Sequence, residues 1–342
     1  MSDVTTPPIT TERLNELAFS FKKSQALAAA LEIDLFTALS KGAATAGELA
    51  ARCDASPEAI DRLLVGCGAM ELVIKDGARF TNAPDVERFL VRDKRGFFGD
   101  YLRFTIGAEY EEWGSFPKNL MQASDAAPPR KLYEGDLEDA ERARAFTSAG
   151  YNSSIALAHR LAKRFDFSRF NKWLDFAGGS GCYAIAACER HSSLKVVVKD
   201  HRNVVPVTRE FVAKHNLQAR ITAEPGDFLV PADYADDCDL ISYITPLHWY
   251  LRDDVIKTLK YAFDALPSGG AVLIVGYMLN NDRIGPLDSA YYHLQAIREG
   301  HFTGHVPSGP EYVGYLETAG FINAEYEWFL EGRLGSIVGW KP

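Results

Sequence analysis

The sequence predicts an α/β protein with a mostly parallel sheet in its C-terminal half and a smaller helical domain before it. Three observations support this prediction. From residue 173 onward, short apolar runs alternate with helical segments, which is typical of a parallel sheet covered by helices. A glycine-rich turn follows the first of these runs. The chain then ends in two β-rich runs, 322–329 and 336–340, which predict a terminal antiparallel pair.

The N-terminal part is predicted to be helical with a winged-helix pattern. Apolar residues recur at helical spacing over residues 14–35, so the chain begins with one or two amphipathic helices. Thr45, followed three residues later by Glu48, predicts a capped helix. The runs 72–74 and 79–81 predict the hairpin of the wing.

Winged helices often bind DNA, but the charges here favour another role. The candidate recognition helix offers Glu58, Asp61 and Arg62, which is one positive charge against two negative charges. A helix that contacts phosphates should be basic. We therefore expect an architectural, dimerising module.

The composition of the whole chain restricts its partners. The 342 residues are 47% hydrophobic, so two domains with full cores are possible. The net charge of −9 argues against nucleic-acid and anionic membrane partners. The five cysteines are scattered without metal-binding spacing, and we expect reduced thiols, no metal site and a cytoplasmic protein. The longest apolar run, 271–279, is shorter than the about 20 residues that span a bilayer.

Two long helices are predicted between the domains. The first covers the aromatic-rich stretch 97–121. The second covers 138–162, and its Phe146, Tyr151 and Leu157 would face the catalytic domain. The predicted domains are a winged-helix-like dimerisation domain over 1–100, linker and substrate-lining helices over 101–165, and a catalytic domain over 166–342.

The parallel sheet begins with a strand, a tight turn and a helix, the first half of a nucleotide-binding unit. Expected strands are 173–176, 194–198, 219–223, 239–243 and 271–277. The turn after the first strand contains Gly178, Gly179 and Gly181, which let the backbone approach a ligand closely. The second strand ends at Asp200, whose carboxylate can accept both hydroxyls of a ribose.

Two classes of ligand use such a turn. Gly179, Gly181 and Ala184 satisfy a loose dinucleotide pattern, so a nicotinamide enzyme remains an alternative. However, Asp175 within the strand gives the pattern D-x-x-G-G-x-G. This pattern is similar to motif I of the class I S-adenosylmethionine (SAM) methyltransferases.

Several ordered motifs extend this resemblance from about residue 14 to residue 340. The chain resembles the SAM-dependent O-methyltransferases of the plant caffeate and acetylserotonin type and their bacterial relatives. The motifs that carry the resemblance are LDFAGGSG at 174–181, Asp200 with Val204 and Val205, Gly226-Asp227-Phe228, Leu247-His248, and Ala319-Gly320-Phe321.

The resemblance implies a homodimer with a Rossmann-like catalytic domain that binds SAM and releases S-adenosylhomocysteine. It assigns His248 as the catalytic base. The cofactor-binding residues it implies are Asp175, Gly178, Gly179, Gly181, Asp200, Asp227, Phe228 and Tyr243. Taken alone, Asp200 is better explained as a strand-end cap and Asp227 as a turn residue. The order and spacing of the motifs favour the cofactor roles instead.

The sequence departs from the family at the residues around His248. Relatives continue Leu-His-Asp-Trp, whereas Trp249 and Tyr250 follow the histidine here. The strand position at which relatives carry a glutamate that orients the histidine is Gly276, and a later glutamate-arginine pair is absent from 300–305. A phenol must lose a proton during methylation, whereas a thioether need not. The preferred prediction is therefore S-methylation of a small thioether hydroxy acid. In chain length, acidic composition and the missing carboxylates the chain resembles the S-methyltransferases of dimethylsulfoniopropionate synthesis, and that resemblance implies 4-methylthio-2-hydroxybutyrate as the acceptor.

Aromatic and basic residues in the family's substrate segments complete the predicted site. The predicted substrate-binding residues are Tyr151, Trp249, Tyr291, Tyr292, Arg298 and Phe302. Aromatic faces tolerate a sulfonium cation. A substrate carboxylate would be held by His293, His301 or His305 together with Arg298 or Arg283. For each of these residues, packing at a domain seam or a place in a surface loop is an equally good interpretation.

Other functions remain open at this point. One is O-methylation of an aromatic secondary metabolite with His248 as general base, and another is SAM binding without turnover. The sequence leaves open whether His248 is a base or a substrate anchor. It also leaves open whether the partner subunit completes the site.

Overall fold

The computed structural model describes residues 9–94, 96–124, 137–234, 237–298 and 300–342 of the chain. For Ala108 and Arg298 it describes the backbone alone. The chain divides into two compact units, 1–111 and 112–342. None of the helices in these described ranges combines the length and apolarity needed to cross a membrane.

The N-terminal unit is helical with one small hairpin. Its elements are α1 (Glu12–Phe19), α2 (Phe21–Glu32), α3 (Leu35–Leu39), α4 (Ala46–Arg52), α5 (Pro57–Ala69), β1 (Val73–Asp76), β2 (Arg79–Asn82) and α6 (Pro84–Phe89). Thr45 and Glu48 form the predicted capping box at the start of α4, and β1 pairs antiparallel to β2. Leu35, Leu49 and Leu64 are fully buried in the core of this unit. The structure thus confirms three predicted features: the helix that begins after Thr45, its cap by Thr45 and Glu48, and the hairpin of β1 and β2.

A long helix, α7 (Gly99–Gln122), contains the boundary between the two units. The other helices of the C-terminal unit are α8 (Ala140–Arg164), α9 (Cys182–Arg190), α10 (Val205–Lys214), α11 (Arg252–Ala265), α12 (Leu287–Gln295) and α13 (Gly309–Ala319). Asp139 caps α8 by accepting hydrogen bonds from the two backbone N–H groups at positions 141 and 142.

The C-terminal unit is organised on a seven-stranded sheet. Its strands are β3 (Lys172–Phe176), β4 (Lys195–Asp200), β5 (Ile221–Pro225), β6 (Leu240–Ile244), β7 (Ala271–Tyr277), β10 (Ile322–Leu330) and β11 (Leu334–Trp340), and a separate short pair consists of β8 (Ile297–Arg298) and β9 (His301–Phe302). The strand order is β10-β11-β7-β6-β3-β4-β5. Strands β3 to β7 are parallel, and β11 runs antiparallel to both β7 and β10. The predicted α/β class and terminal antiparallel pair are confirmed.

The sheet is buried on both faces, so its central strands are apolar along their whole length. Alternate residues of a strand face opposite sides. Trp173 packs with α8 and α9 in one core, whereas Leu174 packs with α11 and α13 in the other. Because β3 connects to a helix on one face and its neighbour β6 connects to a helix on the other, a crevice forms at their carboxyl ends.

Candidate active site

A cavity of about 290 Å³ lies at this crevice, beside the carboxyl ends of β3, β4 and β6. Five residues predicted from the sequence line it: Gly179, Asp200, Asp227, Phe228 and Trp249. Their arrangement follows from the topology, because the ends of parallel strands meet at one edge of the sheet. The sequence motifs are thus brought together at one place.

The turn after β3 presents bare backbone to this cavity. Ala177, Gly179 and Gly181 have φ angles of 53°, 56° and 73°, a left-handed conformation that favours glycine. A Cβ atom on Gly179 would have no heavy atom within 4 Å, so the backbone there faces open space. Gly181 is the N-cap of α9. A ligand can therefore approach the turn and the first N–H groups of the helix closely.

Asp200 is held in one orientation by two backbone groups from different segments. Its Oδ2 accepts a hydrogen bond from the N–H of Gly179 at 2.8 Å, and its Oδ1 accepts one from the N–H of His201 at 2.6 Å. Burial raises the pKa of Asp200, and the two N–H groups oppose that rise. Each carboxylate oxygen keeps a further lone pair, so the group can accept two neighbouring hydroxyls.

Asp175 lies below the turn and is fully buried. The hydroxyl of Ser242 donates to its Oδ1 at 2.5 Å, and the indole N–H of Trp173 donates to Ser242 at 2.7 Å. Its Oδ2 has no hydrogen-bond partner among the described residues. Burial, with a contribution from the charge of Asp200, raises the pKa of Asp175 to about 7. Near neutral pH, Asp175 can therefore either donate or accept a hydrogen bond at Oδ2.

Phe228 forms an apolar part of the cavity wall, whereas Tyr243 lies behind it. The ring of Phe228 meets the ring of Tyr250 edge-on, with centroids 5.0 Å apart. Tyr243 is fully buried, does not line the cavity, and makes a 2.8 Å hydrogen bond to the hydroxyl of Tyr234. Tyr243 was predicted from the sequence to bind the cofactor. In the structure it packs behind the residues that line the cavity.

His248 lies in the short turn after β6 and is only 4% exposed. The rings of Trp249, Tyr277 and Tyr292 surround it, with centroids 4.7, 4.9 and 5.3 Å from the imidazole. Neither ring nitrogen has a hydrogen-bond partner of good geometry among the described residues. Burial lowers the pKa of His248 to about 3, although the backbone of Thr245 acts in the opposite direction. The imidazole is therefore neutral at physiological pH. Both of its nitrogens are buried, and His248 lies behind Trp249 without lining the cavity itself.

The space beside Gly276 is filled by a tyrosine. A Cβ atom on Gly276 would lie 2.7 Å from the hydroxyl of Tyr312, which is fully buried. The sequence lacks a carboxylate at position 276, and the side chain of Tyr312 occupies the space that such a carboxylate would need. His248 has no hydrogen bond to a carboxylate in the described part of the chain.

The residues predicted to bind substrate occupy different places. Tyr292 stacks on Tyr277 at 3.6 Å beside His248, and Tyr291 meets Trp113 edge-on at 6.2 Å. Phe302 lies on β9 and is 36% exposed. Tyr292 is thus close to His248. The side chain of Arg298 lies outside the described part of the chain.

Tyr151 has a different environment. It lies on α8, stacks on Phe211 at 4.1 Å and makes a 2.8 Å hydrogen bond to Nε2 of His215. Nδ1 of His215 in turn lies 2.7 Å from the carboxylate of Glu189. Tyr151 therefore joins α8 to α9 and α10, and it does not line the cavity.

The histidines proposed to hold a substrate carboxylate take part in packing a loop. Nδ1 of His305 lies 3.2 Å from the carbonyl of Tyr250, and its Nε2 lies 2.9 Å from the hydroxyl of Tyr315. Nδ1 of His293 accepts a hydrogen bond from the backbone N–H of Val306 at 3.0 Å. These contacts fasten residues 303–308 against the wall of the cavity.

Arg283 and His301 were also predicted to hold a substrate carboxylate, and their surroundings differ. Nη1 of Arg283 donates to both carboxylate oxygens of Glu311 and forms an ion pair with them. His301 pairs through its backbone in the β8–β9 hairpin, and its Nδ1 has no hydrogen-bond partner in the described ranges. Of this group, His301 therefore keeps an unused ring nitrogen.

Sequence reasoning missed several residues of the cavity wall. Leu137 and Thr147, at or near the start of α8, line the cavity, as do His201 and Thr245. Phe146, which the sequence predicts to face the catalytic domain, also lines it. Leu137 and Thr147 carry no signal, because they are far in sequence from every motif. Thr245 has a φ of 67°, which is rare for a β-branched residue and characteristic of strained functional positions. A threonine before a proline gives no sign of that conformation.

The cavity suits a nucleoside with a flexible charged chain. It combines a fixed carboxylate with unused lone pairs, a turn whose Gly179 presents bare backbone to open space, and an apolar wall at Phe228. In the described ranges, no group of three or more His, Cys, Asp or Glu side chains is arranged to hold a metal ion. A parallel sheet with this site at its crevice and a terminal antiparallel pair defines a class I SAM-dependent methyltransferase.

Comparisons with known proteins identify the family within this class. Residues 122–322 match the O-methyltransferase domain, and residues 15–92 match the O-methyltransferase dimerisation domain. The chain belongs to this O-methyltransferase family and is SAM-dependent.

Several relatives cover nearly the whole chain. The 3-hydroxy-5-methyl-1-naphthoate 3-O-methyltransferase of Streptomyces sahachiroi is 31% identical over 337 residues, which cover 96% of this chain and 94% of the relative. The N,N-dimethyltransferase OxyT of Streptomyces rimosus is 28% identical, with 99% of each chain covered. Human N-acetylserotonin methyltransferase in complex with SAM has the same fold, with a TM-score of 0.87, 22% identity and coverage of 100% and 99% of the two chains. The names of these relatives give no support to S-methylation of methylthiohydroxybutyrate or to a role in dimethylsulfoniopropionate synthesis.

Proposed function

We propose that SAM binds in the cavity beside β3, β4 and β6. In this arrangement Asp200 accepts the two ribose hydroxyls, and the wall around Asp227 and Phe228 flanks the adenine. The turn at 178–181 surrounds the methionine part. The geometry of Asp200 supports this assignment most strongly, because its two oxygens are oriented and keep unused lone pairs.

We propose further that the methyl acceptor is a small aromatic molecule with an oxygen nucleophile. The observation that carries this proposal is the neutral imidazole of His248 within a cluster of aromatic rings, next to Trp249, which lines the cavity. SAM supplies an electrophilic methyl group on a sulfonium. The rings of Trp249 and Tyr292 would align a planar acceptor and exclude water, while a nitrogen of His248 accepts the proton of its hydroxyl. The naphthoate O-methyltransferase is a relative that acts on such a compound.

S-methylation of a small thioether acid, such as 4-methylthio-2-hydroxybutyrate, is the second candidate. The low pKa of His248 favours it, because an imidazole with a pKa of about 3 is a poor proton acceptor near neutral pH. A thioether has no proton to lose. Aromatic faces would also tolerate the sulfonium product.

A panel of acceptors tests both candidates. Purified protein is incubated with methyl-labelled SAM and, separately, a hydroxynaphthoate, an aromatic amine and 4-methylthio-2-hydroxybutyrate. Labelled aryl ether supports the first candidate, and labelled sulfonium supports the second. The His248→Phe variant gives an internal control, since it should abolish transfer to oxygen and reduce transfer to a thioether much less. Labelling of the amine alone would contradict both candidates.

We also propose that the protein is a homodimer. Residues 15–92 match a dimerisation domain, and Leu14, Leu17 and Phe21 on α1 and α2 are 57%, 59% and 48% exposed. Light scattering should give twice the chain mass, and replacing Leu14 and Leu17 by Glu should give the monomer mass. A monomer before substitution would refute this proposal.

A further inference from the structure

Three successive residues of the cavity wall are each fixed by a hydrogen bond. The backbone N–H of Asp227 donates to the carboxylate of Asp233 at 2.7 Å. The carbonyl of Phe228 accepts from the hydroxyl of Tyr234 at 2.8 Å. The N–H of Leu229 donates to the side chain of Asp227 at 2.8 Å. The wall is therefore held from behind by two adjacent residues, Asp233 and Tyr234, neither of which lines the cavity.

Tyr234 is itself held by a second tyrosine. Its hydroxyl lies 2.8 Å from the hydroxyl of Tyr243, which is also 3.4 Å from the carbonyl of Thr258. A hydroxyl has one proton to donate and lone pairs with which to accept. The hydroxyl of Tyr234 lies 2.8 Å from the carbonyl of Phe228 and 3.3 Å from that of Thr258, so the shorter contact to Phe228 takes its proton. Its oxygen is then left to accept the proton of Tyr243. Burial raises the pKa of both tyrosines, so both hydroxyls remain protonated.

The rings of the same residues support the same wall. Phe228 meets Tyr243 edge-on at 5.8 Å, and Phe176 lies 4.6 Å from Tyr234 and 5.9 Å from Tyr243. Replacing either tyrosine by phenylalanine keeps these ring contacts and removes only the hydroxyl. The effect of the hydrogen bonds can therefore be measured separately from the effect of the packing.

We infer that Tyr234 is a positioning residue for the cofactor, and that Tyr243 acts through it. The hydroxyl of Tyr234 sets the place of the Phe228 backbone and hence of the wall that faces the nucleoside. This inference rests on SAM dependence and on the proposed place of SAM beside Phe228. It is independent of the identity of the acceptor.

The test measures binding of S-adenosylhomocysteine to the full chain by calorimetry, well below the melting temperature. The variants are Tyr234→Phe, Tyr243→Phe and the double variant. Tyr261→Phe is the matched control, because its ring meets that of Tyr234 edge-on at 5.9 Å while its hydroxyl takes no part in these hydrogen bonds. If a tyrosine variant fails to fold, Asp233→Ala provides a second test, because it removes the hydrogen bond from the backbone N–H of Asp227.

Tyr234→Phe should weaken binding by about three- to tenfold, the effect of one buried hydrogen bond. Tyr243→Phe should weaken it less, and the double variant should resemble Tyr234→Phe, because the two hydroxyls act in series. Asp233→Ala should also weaken binding, and Tyr261→Phe should leave it unchanged. A lower melting temperature with unchanged affinity in Tyr234→Phe and Asp233→Ala would overturn the inference. Absence of binding in the unsubstituted protein would instead refute the proposed cofactor site.

Discussion

A Cβ atom on Gly178 would lie 2.6 Å from Oδ2 of Asp175. It would also lie 2.7 Å from Cγ1 of Val198 on the neighbouring strand. Both distances are far below van der Waals contact, so the turn closes on the buried carboxylate without room for even a methyl group. The conformation of the turn and the place of Asp175 therefore depend on each other.

Gly178→Ala should abolish SAM binding, because the turn must move away from Asp175 to admit the methyl group. Thermal shift with added S-adenosylhomocysteine measures this directly. Gly150→Ala is the control. Gly150 lies inside α8 with nothing within 4 Å of its Cβ position, so alanine there should raise stability by up to about 1 kcal/mol and leave binding intact. Normal ligand stabilisation of Gly178→Ala would contradict the expectation.

Asp175→Asn should change how stability depends on pH. The pKa of Asp175 is raised in the folded state to about 7 from an ordinary value of 3.8. Ionisation therefore opposes folding, and the protein loses stability as pH rises through this window. Relative to Asp175→Asn, the unsubstituted protein should lose about 2 kcal/mol between about pH 5.5 and about pH 8, measured by denaturant unfolding without ligand. Parallel profiles for the two proteins would show that Asp175 does not titrate in this way.

His248→Phe should change how stability depends on pH below about pH 6.5, because there the unsubstituted protein loses stability as the pH falls. The pKa of His248 is lowered in the folded state from 6.5 to about 3, so the unfolded chain binds a proton that the folded chain does not. Stability therefore falls as pH drops below about 6.5. Between about pH 8 and about pH 5 the unsubstituted protein should lose about 2 kcal/mol relative to His248→Phe. An equal loss in both proteins would mean that the pKa of His248 is not lowered in the folded state.

The sequence predicted most of the fold, because its signals are local. The strand 173–176, the glycine turn and the acid at position 200 appear as β3, the turn before α9 and the end of β4. The terminal runs appear as β10 and β11. Apolar runs of strand length and glycines at turns act over a few residues, so one sequence is enough to predict them.

The site was less predictable, because contacts between distant segments decide it. Tyr243 and Ser242 are neighbours on one strand, yet they face opposite sides of the sheet. Ser242 contacts Asp175, whereas Tyr243 contacts Tyr234 in the other core. Tyr151 shows the same difficulty, since its partners Phe211 and His215 lie more than fifty residues away in the chain. No spacing rule in the sequence assigns such contacts.

Gly276→Ala should destabilise the protein, because the new methyl group would meet the hydroxyl of Tyr312 at 2.7 Å. We expect a loss of about 1 to 3 kcal/mol, typical of overpacking in a core. Adding Tyr312→Phe should recover much of this loss, since the next nearest atom of that ring is 3.4 Å away. A double-mutant cycle by denaturant unfolding measures the coupling. Simple additivity of the two substitutions would contradict this expectation.

The tyrosine beside Gly276 also bears on how this enzyme can change over evolutionary time. A single mutation that introduced an acid at position 276 would be selected against for its damage to folding before any benefit to catalysis appeared. Position 312 must change first, in a step that brings no catalytic gain. Regaining an acid at position 276 therefore takes two substitutions in order, first at 312 and then at 276.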